Sequence, residues 1–198
     1  GVVPPAIDSL DGLFDLDGYP TAHSDIVALL VLDHQAHMTN LITRVGWEAR
    51  RVLFRDGGQS TDDPRFVELM QEAASELVDY LLFVDEAPLP DGITGSTRFS
   101  ETFSARGPRD DAGRSLREIS LEGRLFRYPC SYMIYTDAFD GLPDLAREAI
   151  YARIWEVLSG AVTESPYAEL LLADRQAVVE ILTATKPDLP GYFGSVTR

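Results

Sequence analysis

The stretch from Ser24 to Phe54, SDIVALLVLDHQAHMTNLITRVGWEARRVLF, constrains the fold more than any other part of the chain. Its apolar residues recur at helical spacing, and it carries two of the three histidines of the sequence. Ser24 is read as the N-cap with Asp25 in the first turn, so the helix runs to about Arg55, where Asp56-Gly57-Gly58 stops it. Within it, Asp33-His34-Gln35-Ala36-His37-Met38 sets ligand-capable groups in an oily segment. His34 and His37 stand three apart, one turn from each other on the same face. Polar groups of this kind need partners if they are buried, so this turn is the first place to look for chemistry.

A second helix follows from the cap Asp62 or Asp63, with Pro64 in its first turn. Phe66, Met70, Ala73, Ala74, Leu77 and Leu81 give it a 3.6-residue period to about Val84. Two long helices joined by a short loop are expected to pack antiparallel. Residues 85–142 form an insertion with no long period. There, Thr97 to Ala105 and Leu116 to Phe126 read as the arms of a hairpin or as short helical turns, joined by the polar RGPRDDAGRS. Pro129 to Phe139 reads as a buried apolar segment. Pro143 to Ser159 is a third helix stopped by Gly160, and Pro166 to Thr185 a fourth, ended by Lys186-Pro187. The expected fold is therefore mainly α: an antiparallel bundle of about four helices with an irregular or hairpin insertion between helices two and three. Residues 24–198 would form one helical domain, preceded by an extended arm, 1–23, rich in Pro, Gly and Asp.

Charge narrows the partners. The net charge of −15 repels phosphate backbones, so general nucleic-acid binding is disfavoured. No run reaches the ~18 apolar residues of a transmembrane segment. Cys130 is the only cysteine, which rules out an internal disulfide, a CxxCH haem attachment and an all-cysteine metal centre. GxSxG, GxxxxGK[ST] and GxGxxG are also missing, and the sequence offers no catalytic residue. The chain opens at GVVPPAIDSL, without methionine or a leader pattern, and reads as a processed or trimmed product.

Two constellations carry the remaining functional content. His34 and His37, with Met38 and a second-helix carboxylate such as Glu72, supply the ingredients of a non-covalent haem or transition-metal site on facing helices. The same histidines fit better a helix packing seam, satisfied by carboxylates or backbone, since neither Glu-x-x-His nor His-Glu-x-x-His is present. The insertion holds Arg106, Arg109, Arg114, Arg117, Arg124 and Arg127 against the acids Asp110, Asp111, Glu118 and Glu122. Planar guanidinium groups suit anions, so Arg106, Arg109, Arg114 and Arg117 are candidates for anion or partner contact. Pairing with the surplus acids of the helices is the competing account. Tyr128, Tyr132 and Tyr135 with Phe139 are expected to fill a corner of the core.

The segments SDIVALLVLDHQAHMTNLITR, ARGPRDDAGRSLREISL, GRLFRYPCSYMIYTDAFDGLP and IYARIWEVLSG occur in that order. Over about Ser24 to Tyr192 the chain resembles a family of uncharacterised exported bacterial proteins associated with c-type cytochromes. The resemblance implies a bacterial, periplasmic or extracytoplasmic setting beside electron-transfer proteins, and it transfers no catalytic residue. The combined expectation is a non-catalytic accessory or assembly domain that binds a protein partner or copies of itself, through the arm and the arginine-rich segment. The alternative is a haem- or metal-binding redox protein using His34 and His37.

Overall fold

The computed structural model describes residues 10–19, 22–55, 64–84, 86–89, 92–95 and 98–194, with the side chains of α2 described from 67 onward. The expected turn at 56–58, the caps Asp62 and Asp63, the side chain of Phe66 and residues 1–9, 20 and 21 of the expected arm therefore lie outside the described residues. The described chain forms six α-helices: α1 (Ile26–Arg55), α2 (Pro64–Leu81), α3 (Phe99–Ser104), α4 (Asp137–Asp140), α5 (Asp144–Ser159) and α6 (Leu172–Thr185). Two 3₁₀ turns, Tyr132–Tyr135 and Tyr167–Glu169, complete the regular structure. No described helix is long and apolar enough to cross a membrane.

Periodicity sets the long helices. In α1, Val27, Val31, His34, Met38, Leu41, Ile42, Val45 and Ala49 are buried, a stripe at steps of three and four residues. Its cap differs from the expected Ser24. Asp25 Oδ1 accepts from Val27 N at 2.9 Å and Ala28 N at 3.2 Å, because a carboxylate one residue later reaches the first free N–H groups of the helix. α2 buries Met70, Ala73, Ala74, Leu77, Val78 and Leu81, and it is sandwiched between α1 and α5. Along that seam His34 meets Phe83, His37 meets Tyr80 and Arg44 pairs with Glu76. Partners descend along α2 as they ascend along α1, so the two helices are antiparallel. α5 buries Ala146, Ile150, Tyr151, Ile154, Val157 and Leu158, and ends at Gly160, which takes the left-handed conformation at φ 81°. α6 closes the bundle with Val178, Val179, Ile181 and Leu182. The expected fourth helix is split: Pro166 opens only a 3₁₀ turn, and Leu171 stays 63% exposed.

The insertion is irregular, as expected, and of the two readings of its first arm the structure takes the helical turn, α3. The chain reversal lies inside the other arm, where Ser120 N donates to Leu125 O at 3.0 Å and Arg127 N to Glu118 O at 2.8 Å. Leu121 sits at φ 60° in that reversal. The polar RGPRDDAGRS loop is ordered by Asp110 Oδ1, which accepts from Ala112 N at 3.1 Å and Arg114 N at 2.8 Å. At its start Gly107 has φ 99°, and a Cβ there would lie 2.5 Å from Arg117 Cδ. Gly107 is therefore required twice, by its backbone conformation and by the side chain crossing over it. Gly107→Ala is expected to lower the unfolding free energy by about 1–3 kcal/mol, with part of that loss recovered in an Arg117→Ala background. A double-mutant cycle by urea denaturation checks both statements.

Candidate functional site

The polar turn of α1 meets the end of α2 and the first 3₁₀ turn around one imidazole. His34 is 4% exposed. Its ring stacks on Tyr80 at 5.1 Å and 18°, with Phe83 at 5.0 Å, Phe126 at 5.7 Å and Tyr132 at 6.2 Å completing an aromatic box. Its Nε2 lies 2.6 Å from Ser131 Oγ. That oxygen also accepts from Met133 N at 3.1 Å, so one hydroxyl holds both the imidazole and the start of the 3₁₀ turn. Ser131 N in turn donates to Leu81 O at 2.7 Å. Burial first, and then the neighbouring His37, lower the His34 pKa from 6.5 to about 4, while Asp33 acts weakly in the opposite direction. The ring is neutral at pH 7.

A serine hydroxyl at hydrogen-bond distance from a neutral imidazole has the spacing of a nucleophile and its base. The surroundings give it another role. Ser131 has no exposed surface, its oxygen caps the 3₁₀ turn, and it does not line the adjoining cavity. The pair ties α1 to the end of α2 and to the insertion. Cys130 is similarly enclosed, and burial pushes its thiol pKa up, away from the reactive thiolate.

The other residues of the polar turn diverge. His37 is exposed and rests against the Tyr80 ring at 4.3 Å, so Tyr80 is flanked by both imidazoles. Met38 is wholly buried in the core, and Glu72 is exposed on α2. One turn of helix separates the two histidines by about 60° around the axis, enough to send one ring inward and leave the other at the surface. His34, His37, Met38 and Glu72 are thus not gathered at one point. Among the described residues no group of three or more His, Cys, Asp or Glu side chains is placed to hold a metal ion.

The arginines of the insertion divide in two. Arg109 donates to Ser104 O and Gly113 O, both at 2.6 Å, and lies 3.6 Å from Glu118. Arg114 pairs with Asp110 at 2.7 Å and with Glu180 at 2.6 Å, fastening the loop to α6. These two are spent on the fold. Arg117 has its guanidinium 3.8 Å from the Phe103 ring and 4.6 Å from that of Tyr132, and its Nε donates to Phe103 O at 3.2 Å. Neither Arg117 nor the exposed Arg106 forms an ion pair among the described residues, so these two retain the capacity for an external anion. Burial, with Arg106 nearby, lowers the Arg117 pKa.

The aromatic residues Tyr80 and Phe83 escaped sequence reasoning as site residues, although they stand three apart opposite the histidine pair. Phe83 takes φ 53°, a conformation rare for a bulky residue, and thereby ends α2 short of the expected Val84. Beside it opens a cavity of about 430 Å³, lined among others by Leu30, Asp33, His34, Tyr80, Phe83 and Glu86.

The His34 pKa has a consequence for stability. The unfolded chain protonates near 6.5 and the folded one only near 4. The contribution of the neutral ring is fully present above about pH 6.5 and is lost as pH falls toward 4, a loss of about 3 kcal/mol. Denaturant unfolding at pH 7 and pH 4 is expected to show this component in the native sequence and to lack it in His34→Gln.

No protein-family model, no curated protein and no solved structure matches this chain.

Proposed function

We propose that the chain is a non-catalytic accessory domain of an exported bacterial protein, which assembles with a redox partner or with a second copy through the outer face of α1. The observation that carries this reading is the exposure of that face. Leu29 is 48% exposed, Leu32 59%, Trp47 59% and Phe54 89%. With the exposed Ala36 they fall within an arc of about 60° around the helix, so they form one stripe and not scattered positions. The stripe extends about 37 Å along the axis at 1.5 Å per residue. Asn40 and Thr43 divide it into an apolar patch at Leu29, Leu32 and Ala36 and another at Trp47 and Phe54, and exposed apolar patches rimmed by polar residues mark interaction sites.

Two features extend the surface. In the arm, Leu13, Phe14 and Tyr19 are also exposed, and Leu10 N donates to Ala22 O at 2.8 Å, which folds the segment back on itself near the start of α1. The Arg51 guanidinium lies 5.0 Å from the Trp47 ring, an arrangement suited to the centre of an interface. The resemblance noted above supports the extracytoplasmic setting and the electron-transfer neighbour. His34, Ser131 and Cys130, the groups best suited to chemistry, are all occupied in holding the fold, which favours a binding role over a catalytic one.

Size-exclusion chromatography with light scattering tests the reading. The full chain is expected to show a mass above the monomer, or to retain a partner from its native host. Trp47→Glu with Phe54→Glu, or deletion of Gly1 to His23, is expected to return it to the monomer or release the partner. A monomer that retains nothing at any concentration contradicts assembly.

A further inference from the structure

The cavity beside His34 has a composition that selects a ligand. It lies between α1, which contributes Leu30, Asp33 and His34, and the end of α2, which contributes Tyr80, Phe83 and Val84. Glu86, Ala87, Leu89 and Leu125 from the insertion close the remaining sides. Its volume, about 430 Å³, falls in the range of roughly 300–1,000 Å³ found for small-molecule sites. Most of the lining is aliphatic or aromatic. The titratable lining residues other than Tyr80 are two acids and one imidazole, and no lysine or arginine is among them.

Charge complementarity decides the class of occupant. His34 brings no positive charge, because its ring is neutral at pH 7 and its Nε2 is held by Ser131. Asp33 and Glu86 form no ion pair among the described residues, and Arg124, which favours the charged form of Glu86, pairs with Asp174 at 2.9 Å. Both carboxylates raise the Tyr80 pKa, after the larger effect of burial, and all three residues line the cavity. Glu86 is exposed at the edge of the cavity, and the partial desolvation that raises its pKa is opposed by nearby Arg124 and by a hydrogen bond from the Leu125 backbone. An anion would meet two carboxylates and no basic side chain in this lining, and a neutral apolar molecule would make no use of the acids. An organic cation satisfies both the walls and the acids, and aromatic rings are favourable neighbours for an ammonium group.

We infer that the cavity between α1, the end of α2 and Glu86–Leu89 binds a small organic ammonium ion, its apolar body against Leu30, Phe83 and Leu125 and its charged head toward Asp33 and Glu86. The inference is independent of the assembly face, since Leu29 and Leu32 are not part of the cavity lining.

The test uses the full chain and phenethylammonium as the probe, with phenethyl alcohol as its uncharged counterpart of the same shape. Binding is followed by calorimetry and by the NMR signals of the His34 and Tyr80 rings. The ammonium is expected to bind at least about tenfold more tightly than the alcohol, a ratio worth about 1.4 kcal/mol. It should shift both ring signals and lose at least about tenfold in affinity in Asp33→Asn/Glu86→Gln. Asp144→Asn, which removes an equal type of charge on α5 outside the cavity, is expected to leave binding unchanged. Tyr80→Ala tests the wall, and its fold is checked by the dispersion of its NMR spectrum. Equal affinity for the alcohol, undiminished binding in the double variant, equal loss in Asp144→Asn, or no binding at all would overturn the inference.

Discussion

One buried imidazole organises the part of the molecule where three segments meet. The His34–Ser131 hydrogen bond joins positions 97 residues apart, and Ser131 passes the constraint on through its bonds to Leu81 and Met133. Removing either partner would leave a polar atom unsatisfied among Tyr80, Phe83, Phe126 and Tyr132, a cost larger than the net value of the bond itself. The end of α2, the strained Phe83 and the 3₁₀ turn therefore take their positions from a single polar contact inside an aromatic box. The acid-sensitive pKa of His34 is the electrostatic face of the same burial.

The charge of the chain is arranged more selectively than its total suggests. Arg109 and Arg114 neutralise acids and carbonyls within the insertion, Arg124 reaches Asp174 of α6, and Lys186 pairs with Asp140 beside α4. These contacts hold an irregular segment to a bundle that its own hydrogen bonding would not fix. Asp33 and Glu86 beside the His34 cavity, and the guanidinium of Arg117 against two rings, take no part in these ion pairs. Charged groups outside the ion pairs are where a molecule of net charge −15 can meet a ligand or partner of matching sign.

The helical bundle was legible in the sequence because it rests on local periodicity. The stripes of α1, α2, α5 and α6 were visible as apolar residues at steps of three and four, and Gly160 marked a helix end as expected. The cap at Asp25, the splitting of the last helix after Pro166 and the reversal at Ser120–Leu125 were not legible. Each depends on a competition between neighbouring donors and acceptors that only the surrounding packing resolves. The candidate site was half legible: the polar turn pointed to the right place, but the partners Tyr80, Phe83, Ser131 and Glu86 come from elsewhere in the chain.

The sequence by itself determined that the chain is mainly helical, that it is strongly acidic, and that Asp33 to Met38 would be an unusual turn. Those conclusions follow from composition and from periods of a few residues. Tertiary structure alone decided that His34 turns inward while His37 stays outside, that Arg109 and Arg114 are consumed while Arg106 and Arg117 are not, and that two acids border an aromatic cavity. Spacing along a helix defines a face, but whether that face meets protein or water depends on which distant segment packs against it.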